Sequence, residues 1–117
     1  MSATPIGPYT PVLKAGDWLI VSGQIGIDGD AKLVAGGMAA ELRQLLANLS
    51  AHLQGAGASM DKVAKTTVFM TDMDDYPTMN EIYVAAFGDH RPARSAVAVA
   101  GLPLGASIEV EAWAHIG

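Results

Sequence analysis

Arg94 lies in the run His90-Arg91-Pro92-Ala93-Arg94-Ser95-Ala96-Val97, at the mouth of the apolar segment Ala96-Val97-Ala98-Val99-Ala100. An arginine does not deprotonate in a protein, and burying it unpaired costs several kcal/mol, so something anionic must meet it. One candidate is a carboxylate of this chain, since Glu109 and Glu111 alternate along the apolar segment that follows. The other is the carboxylate of a small molecule, which the planar guanidinium grips through two parallel hydrogen bonds. Glu109 alone reads as part of a solvated strand face. Tyr9, in Gly7-Pro8-Tyr9-Thr10, is either a packing aromatic at a turn or a site residue.

Other familiar chemistry is missing or has a plainer reading. Ser22, in Val21-Ser22-Gly23-Gln24, is not in a nucleophile elbow and reads as a polar residue ending a strand. His52, His90 and His115 fall on a helix, a loop and a strand without metal-ligand spacing, so no metal site is expected. Gly55-Ala56-Gly57 follows a helix instead of opening one, which makes it a terminator and not a dinucleotide loop. Asp72, Asp74 and Asp75 are explained by helix capping, and Asn80 and Glu81 by the exposed side of the helix that follows.

The elements that must position these residues follow from hydrophobic periodicity. Trp18 to Ser22 reads as a buried strand continuing through Ile25 and Ile27 to the turn Asp28-Gly29-Asp30, with Ala31 to Val34 returning as its hairpin partner. Met38, Leu42, Leu45, Leu46, Leu49 and Leu53 are spaced three and four apart along one helix face, which Gly55 and Gly57 stop. Val63 to Thr71 is a β-branched strand. Met73 to Pro77 opens a second helix with Met79, Ile82, Tyr83, Ala86 and Phe87 on its apolar face. Ser95 to Ala100 and Ser107 to Ile116 close the chain as two strands joined through Gly101-Leu102-Pro103-Leu104-Gly105. If those two form a hairpin centred near Leu102 and Pro103, Arg94 faces Glu111 and Ala96 faces Glu109. Arg94 and Glu109 are then diagonal neighbours on one face, about 7 Å apart at the backbone.

The order ββαβαββ predicts an α+β two-layer domain, a mainly antiparallel sheet with two helices on one face. The second sheet face, carrying Trp113, would be a large exposed patch on a monomer, so another subunit is expected to cover it. With 117 residues, half of them hydrophobic, residues 1–117 are expected to form a single domain. Twelve acidic against seven basic residues argue against a broad grip on nucleic acid. The absence of cysteine removes disulfides and thiolate chemistry and fits a reducing compartment. The N-terminus has no signal-peptide pattern and no stretch is long and apolar enough to span a membrane, so a cytoplasmic protein is expected.

Several motifs occur in order along the chain: Gly7-Pro8-Tyr9, Val21-Ser22-Gly23-Gln24-Ile25, Thr66-Thr67-Val68-Phe69-Met70-Thr71-Asp72-Met73, Met79-Asn80-Glu81-Ile82-Tyr83, Arg91-Pro92-Ala93-Arg94-Ser95 and Ile108-Glu109-Val110-Glu111-Ala112. Together they resemble the RidA (YjgF) family of reactive enamine/imine deaminases, nearly end to end. The resemblance implies a chorismate-mutase-like fold assembled as a homotrimeric barrel, with clefts between neighbouring subunits. It implies hydrolysis of 2-aminoacrylate-type enamines and their imine tautomers, released by pyridoxal-phosphate-dependent dehydratases, to 2-keto acids and ammonia, with no cofactor. Carried over residue by residue, Arg94 binds the substrate carboxylate, Glu109 orients or deprotonates the attacking water, and Tyr9 stands at the cleft entrance. Ser22 and Gly23 line the pocket, Asn80 lies near it, and the backbone of Ala96 helps hold substrate. Ala96 stands where many members have cysteine, Pro11 replaces a common glutamine, and Gly101 replaces a frequent basic residue. A trimer that binds small carboxylates without turnover, and an endoribonuclease, are the competing functions. Retention of both Arg94 and Glu109 argues against the first, and the acidic balance and lack of paired histidines against the second.

Overall fold

A computed structural model describes residues 7–117. Five strands and two helices follow in the order β1 (Val12–Ala15), β2 (Trp18–Gln24), α1 (Gly37–Gly55), β3 (Val63–Met70), α2 (Tyr76–Phe87), β4 (Ala93–Ala98) and β5 (Ile108–His115). The strands form one sheet in the order β1-β2-β5-β3-β4, antiparallel except for the parallel pair β3 and β4. The α+β class, the ββαβαββ order and the two helices on one sheet face agree with the expectation.

The core lies between that face and the helices, because both patterns point there. On α1 the whole predicted stripe is buried, Met38, Leu42, Leu45, Leu46, Leu49 and Leu53. From α2 come Met79, Tyr83 and Phe87, whereas Ala86 is exposed. The sheet contributes alternate residues: Leu19 and Val21 from β2, Val68 and Met70 from β3, and Ile108, Val110, Ala112 and Ala114 from β5. Asp72 caps the turn before α2, its Oδ1 accepting from the Asp74 N–H at 2.9 Å.

Two pairings differ from the expectation. The first hairpin lies earlier in the chain than predicted. Val12 to Ala15 pairs with Trp18 to Val21 across the two-residue turn Gly16-Asp17, where Gly16 adopts φ 59°. Residues 31–34 contribute only the bridge between Ile27 and Leu33. The strand β1 was hard to see because it is a short edge segment with three of its four residues exposed.

The second difference moves the site. β4 and β5 are not a hairpin. Strand β3 lies between them, with Arg94 beside Thr66 in the parallel pair, Glu109 opposite Phe69 and Glu111 opposite Thr67. A strand, a helix and a next strand form a β3-α2-β4 crossover unit, which favours parallel pairing of the two strands it joins. The following segment then passes the end of β3, where the Val99 N–H donates to Met70 O and the Thr71 N–H to Ser107 O.

Candidate active site

A cleft of about 580 Å³ opens where β2 loses its register with β5. Val21 pairs with Ala112 and Gln24 with Val110, so Ser22 and Gly23 together oppose the single residue Glu111. This is a β-bulge, a device that bends a strand and re-aims its side chains. The Gln24 side-chain amide donates back to Ser22 O at 3.0 Å and holds the bulge. Ser22 Oγ donates to Thr10 O at 2.7 Å, and the Ser22 N–H donates to Pro11 O at 2.9 Å. Ser22 thereby fixes the segment that carries Tyr9 along the rim.

Gly23 has a specific steric reason. A Cβ there would stand 2.7 Å from Glu109 Cδ and 2.8 Å from Glu109 Oε2. The Glu109 carboxylate occupies the space any larger residue would take. Glu109 points away from the core, since its neighbours Ile108 and Val110 point into it. Burial, and secondarily the charge of Glu111, raise its carboxyl pKa above the ordinary glutamate value. That shift moves it toward the range useful for accepting a proton near neutral pH.

The cleft also contains a residue to which the sequence assigns no role. His52, on α1, lines it, is buried, and has its pKa lowered by that burial. The only sequence signal was a histidine three residues after Leu49 on the apolar face of the helix.

Arg94 is elsewhere. Its Nη2 donates to the Tyr76 hydroxyl at 2.9 Å and its Nη1 to Met79 Sδ at 3.7 Å. The guanidinium carbon lies 5.5 Å from the Tyr76 ring centroid and 4.9 Å from that of Tyr83. All of these partners belong to α2, so the side chain lies on the helical side of the sheet. Glu109 lies on the other. Asn80, half-buried on α2, sits four residues after Tyr76 and three before Tyr83, on the side of the helix those rings share. Ala96, half-buried and paired with Val68, packs against the core on the same side as Arg94.

The seven candidate residues therefore fall into two groups. Tyr9, Ser22, Gly23 and Glu109 line one cleft. Arg94, Asn80 and Ala96 lie with α2 and β4. The expectation that Arg94 and Glu109 are diagonal neighbours is corrected, because it rested on a hairpin that the crossover unit replaces. The named partners of Arg94 are neutral, so neither of the two glutamates is the anion it meets.

Residues 1–116 match the family model described as endoribonuclease L-PSP. A RutC family protein of Pyrococcus horikoshii is 46% identical over 112 residues, covering 95% of this chain and 89% of that protein. The 2-iminobutanoate/2-iminopropanoate deaminase of Mus musculus is 44% identical over 113 residues, covering 96% of this chain and 84% of the relative. Among solved structures, RidA from an Antarctic Psychrobacter superimposes with a TM-score of 0.94 at 35% identity, covering 98% of this chain and 94% of that one. This chain belongs to the endoribonuclease L-PSP family, also called the YjgF/RidA family.

Proposed function

We propose that this protein hydrolyses reactive imines of the 2-iminopropanoate and 2-iminobutanoate type to 2-keto acids and ammonia. In this reading it acts without a cofactor, as a homotrimer in the cytoplasm, with residues 1–117 forming one domain. Each site combines the Glu109 cleft of one copy with the Arg94 end of its neighbour. The observation that carries the reading is the separation itself: a half-buried guanidinium with neutral partners on one sheet face, and a carboxylate with a raised pKa in a cleft on the other.

The open sheet face supports assembly. Leu13, Val97 and Trp113 are exposed there, and the Trp18 ring packs edge-on against Trp113 with centroids 6.0 Å apart. Apolar side chains of this size on one face are what a second copy would cover. The deaminase name of relatives 44% identical over nearly the whole chain supports the reaction class.

The chemistry asks little of the protein. An enamine first takes a proton at carbon and becomes the imine. Arg94 of the neighbouring copy binds the substrate carboxylate bidentately and fixes the imine carbon against a water beside Glu109. Water oxygen attacks the carbon of this protonated imine, Glu109 accepts a water proton, and the C=N electron pair moves to the positively charged nitrogen, which leaves a neutral aminoalcohol. The aminoalcohol then collapses: Glu109 returns its proton to nitrogen, the C–N bond breaks, ammonia leaves, and the hydroxyl passes its proton to the regenerated Glu109 carboxylate as the ketone forms. Tyr9 closes the rim, Ser22 and Gly23 shape the wall, and Asn80 and the Ala96 backbone hold substrate on the arginine side.

An RNA-cleaving role is disfavoured by the net charge of −5 and by Glu109 and Glu111 in the cleft, where phosphate would be repelled. A coupled assay tests the proposal. A dehydratase generates 2-aminoacrylate from serine, or its homologue from threonine, and keto acid formation is followed with and without this protein. Acceleration that Arg94→Ala abolishes is the expected result. No acceleration with either substrate rejects the function, and full activity in Arg94→Ala rejects the arginine's role.

A further inference from the structure

We propose that Tyr76 is a positioning residue for substrate recognition: its hydroxyl and ring hold the Arg94 guanidinium in the orientation that receives the substrate carboxylate. This rests on the reading of Arg94 as the carboxylate anchor and names what aims it. Tyr76, Met79 and Tyr83 fall at i, i+3 and i+7 on α2, so they form one continuous stripe facing β4. Arg94 lies along that stripe. Its Nη2 donates to the Tyr76 hydroxyl at 2.9 Å, and its guanidinium carbon stands 4.9 Å from the Tyr83 ring centroid.

The stripe is itself anchored. The Tyr83 hydroxyl and Thr66 Oγ1 share a buried hydrogen bond of 2.7 Å, and Thr66 is the residue beside Arg94 in the parallel pair. Burial raises the Tyr83 pKa, which keeps its phenol neutral. A guanidinium has five N–H donors. One goes to Tyr76 and one leans on the weak acceptor Met79 Sδ, and the other three have no partner among the described residues. A carboxylate in the position of Tyr76 would neutralise the arginine and compete with substrate, whereas a bare apolar residue would leave the long side chain free to rotate. A neutral hydroxyl on an aromatic ring restrains the group and leaves its charge available. Restraint before binding reduces the entropy lost on binding, which is where the affinity arises.

The test compares Tyr76→Phe, which keeps the ring and removes only the hydroxyl, with the wild-type protein. Calorimetry measures binding of 2-oxobutanoate and of its neutral amide. The expected result is a keto acid affinity about five-fold weaker, with amide binding unchanged. KM for the imine should rise by a similar factor while kcat changes less than about two-fold. The Arg94 Nε–H resonance in nitrogen-15 NMR supplies a readout without ligand: defined in the wild-type protein and broadened in Tyr76→Phe. Unchanged keto acid affinity with an unchanged Arg94 resonance overturns the proposal, as does equal weakening for acid and amide. If the wild-type protein binds neither compound and accelerates no hydrolysis, the carboxylate-anchor reading falls and this one with it. That outcome is distinct from a wild-type protein that binds normally and a variant that binds equally well.

Discussion

Among single residues, Glu109 and the empty space opposite it at Gly23 decide the proposed chemistry. Replacing Gly23 with alanine puts a methyl group 2.7 Å from Glu109 Cδ, so the carboxylate must move. Gly23→Ala is expected to reduce kcat about 100-fold, the scale of effect when a reacting group is displaced by an ångström. Circular dichroism should show a folded protein, since the cleft and not the core absorbs the change. The raised pKa of Glu109 has two consequences. If Glu109 is the proton acceptor, the acid limb of the rate profile falls as pH drops through its pKa, at a pH above that of an ordinary exposed glutamate. In stability the sign is opposite to that of a salt-bridged carboxylate. The folded pKa exceeds the unfolded one, so its contribution is full below the unfolded pKa and is lost as pH rises through the folded pKa. The ionised Glu109 is therefore a liability at neutral pH. Glu109→Gln should be inactive yet melt higher than the wild-type protein at pH 7, with the difference vanishing near pH 4.

At the scale of the element, the helices were legible and the pairing of strands was not. The α1 stripe from Met38 to Leu53 could be read because it repeats over several turns and its apolar residues all face the sheet. The strand β4 could be found but not placed, because its partner is decided by the crossover through α2 and not by its own sequence. A hairpin with β5 puts Arg94 opposite Glu111 and diagonal to Glu109; the observed order puts a whole strand between them. The Ser22-Gly23 bulge had a partial signal in its glycine, yet only the β2-β5 register shows what that glycine is for. The turn Gly16-Asp17 was a readable hairpin signal, a glycine in a two-residue turn, attached to a strand too short and exposed to stand out. A second close approach joins the elements around the cleft. A Cβ on Gly26 would stand 2.6 Å from the Glu41 backbone on α1. Glu41 in turn is buried, and its Oε1 accepts the Ser107 N–H at 2.7 Å just before β5. Gly26→Ala should therefore push α1 away and destabilise the protein by about 2–3 kcal/mol in chemical denaturation, because backbone cannot yield as a side chain does.

At the scale of the whole molecule, the two groups of site residues lie on opposite faces of one sheet, so the proposed chemistry requires more than one copy. The most direct test mixes two inactive variants. Arg94→Ala keeps the Glu109 cleft, and Glu109→Gln keeps the arginine. Unfolded together in equal amounts and refolded, they form mixed assemblies in which some interfaces join an intact cleft to an intact arginine. In a closed ring with one direction of contact, random mixing restores about one quarter of the wild-type sites. The account predicts that imine hydrolysis returns to about that fraction of the wild-type rate, although each variant alone is inactive. A mixture that exchanges subunits and stays as inactive as its components would contradict it.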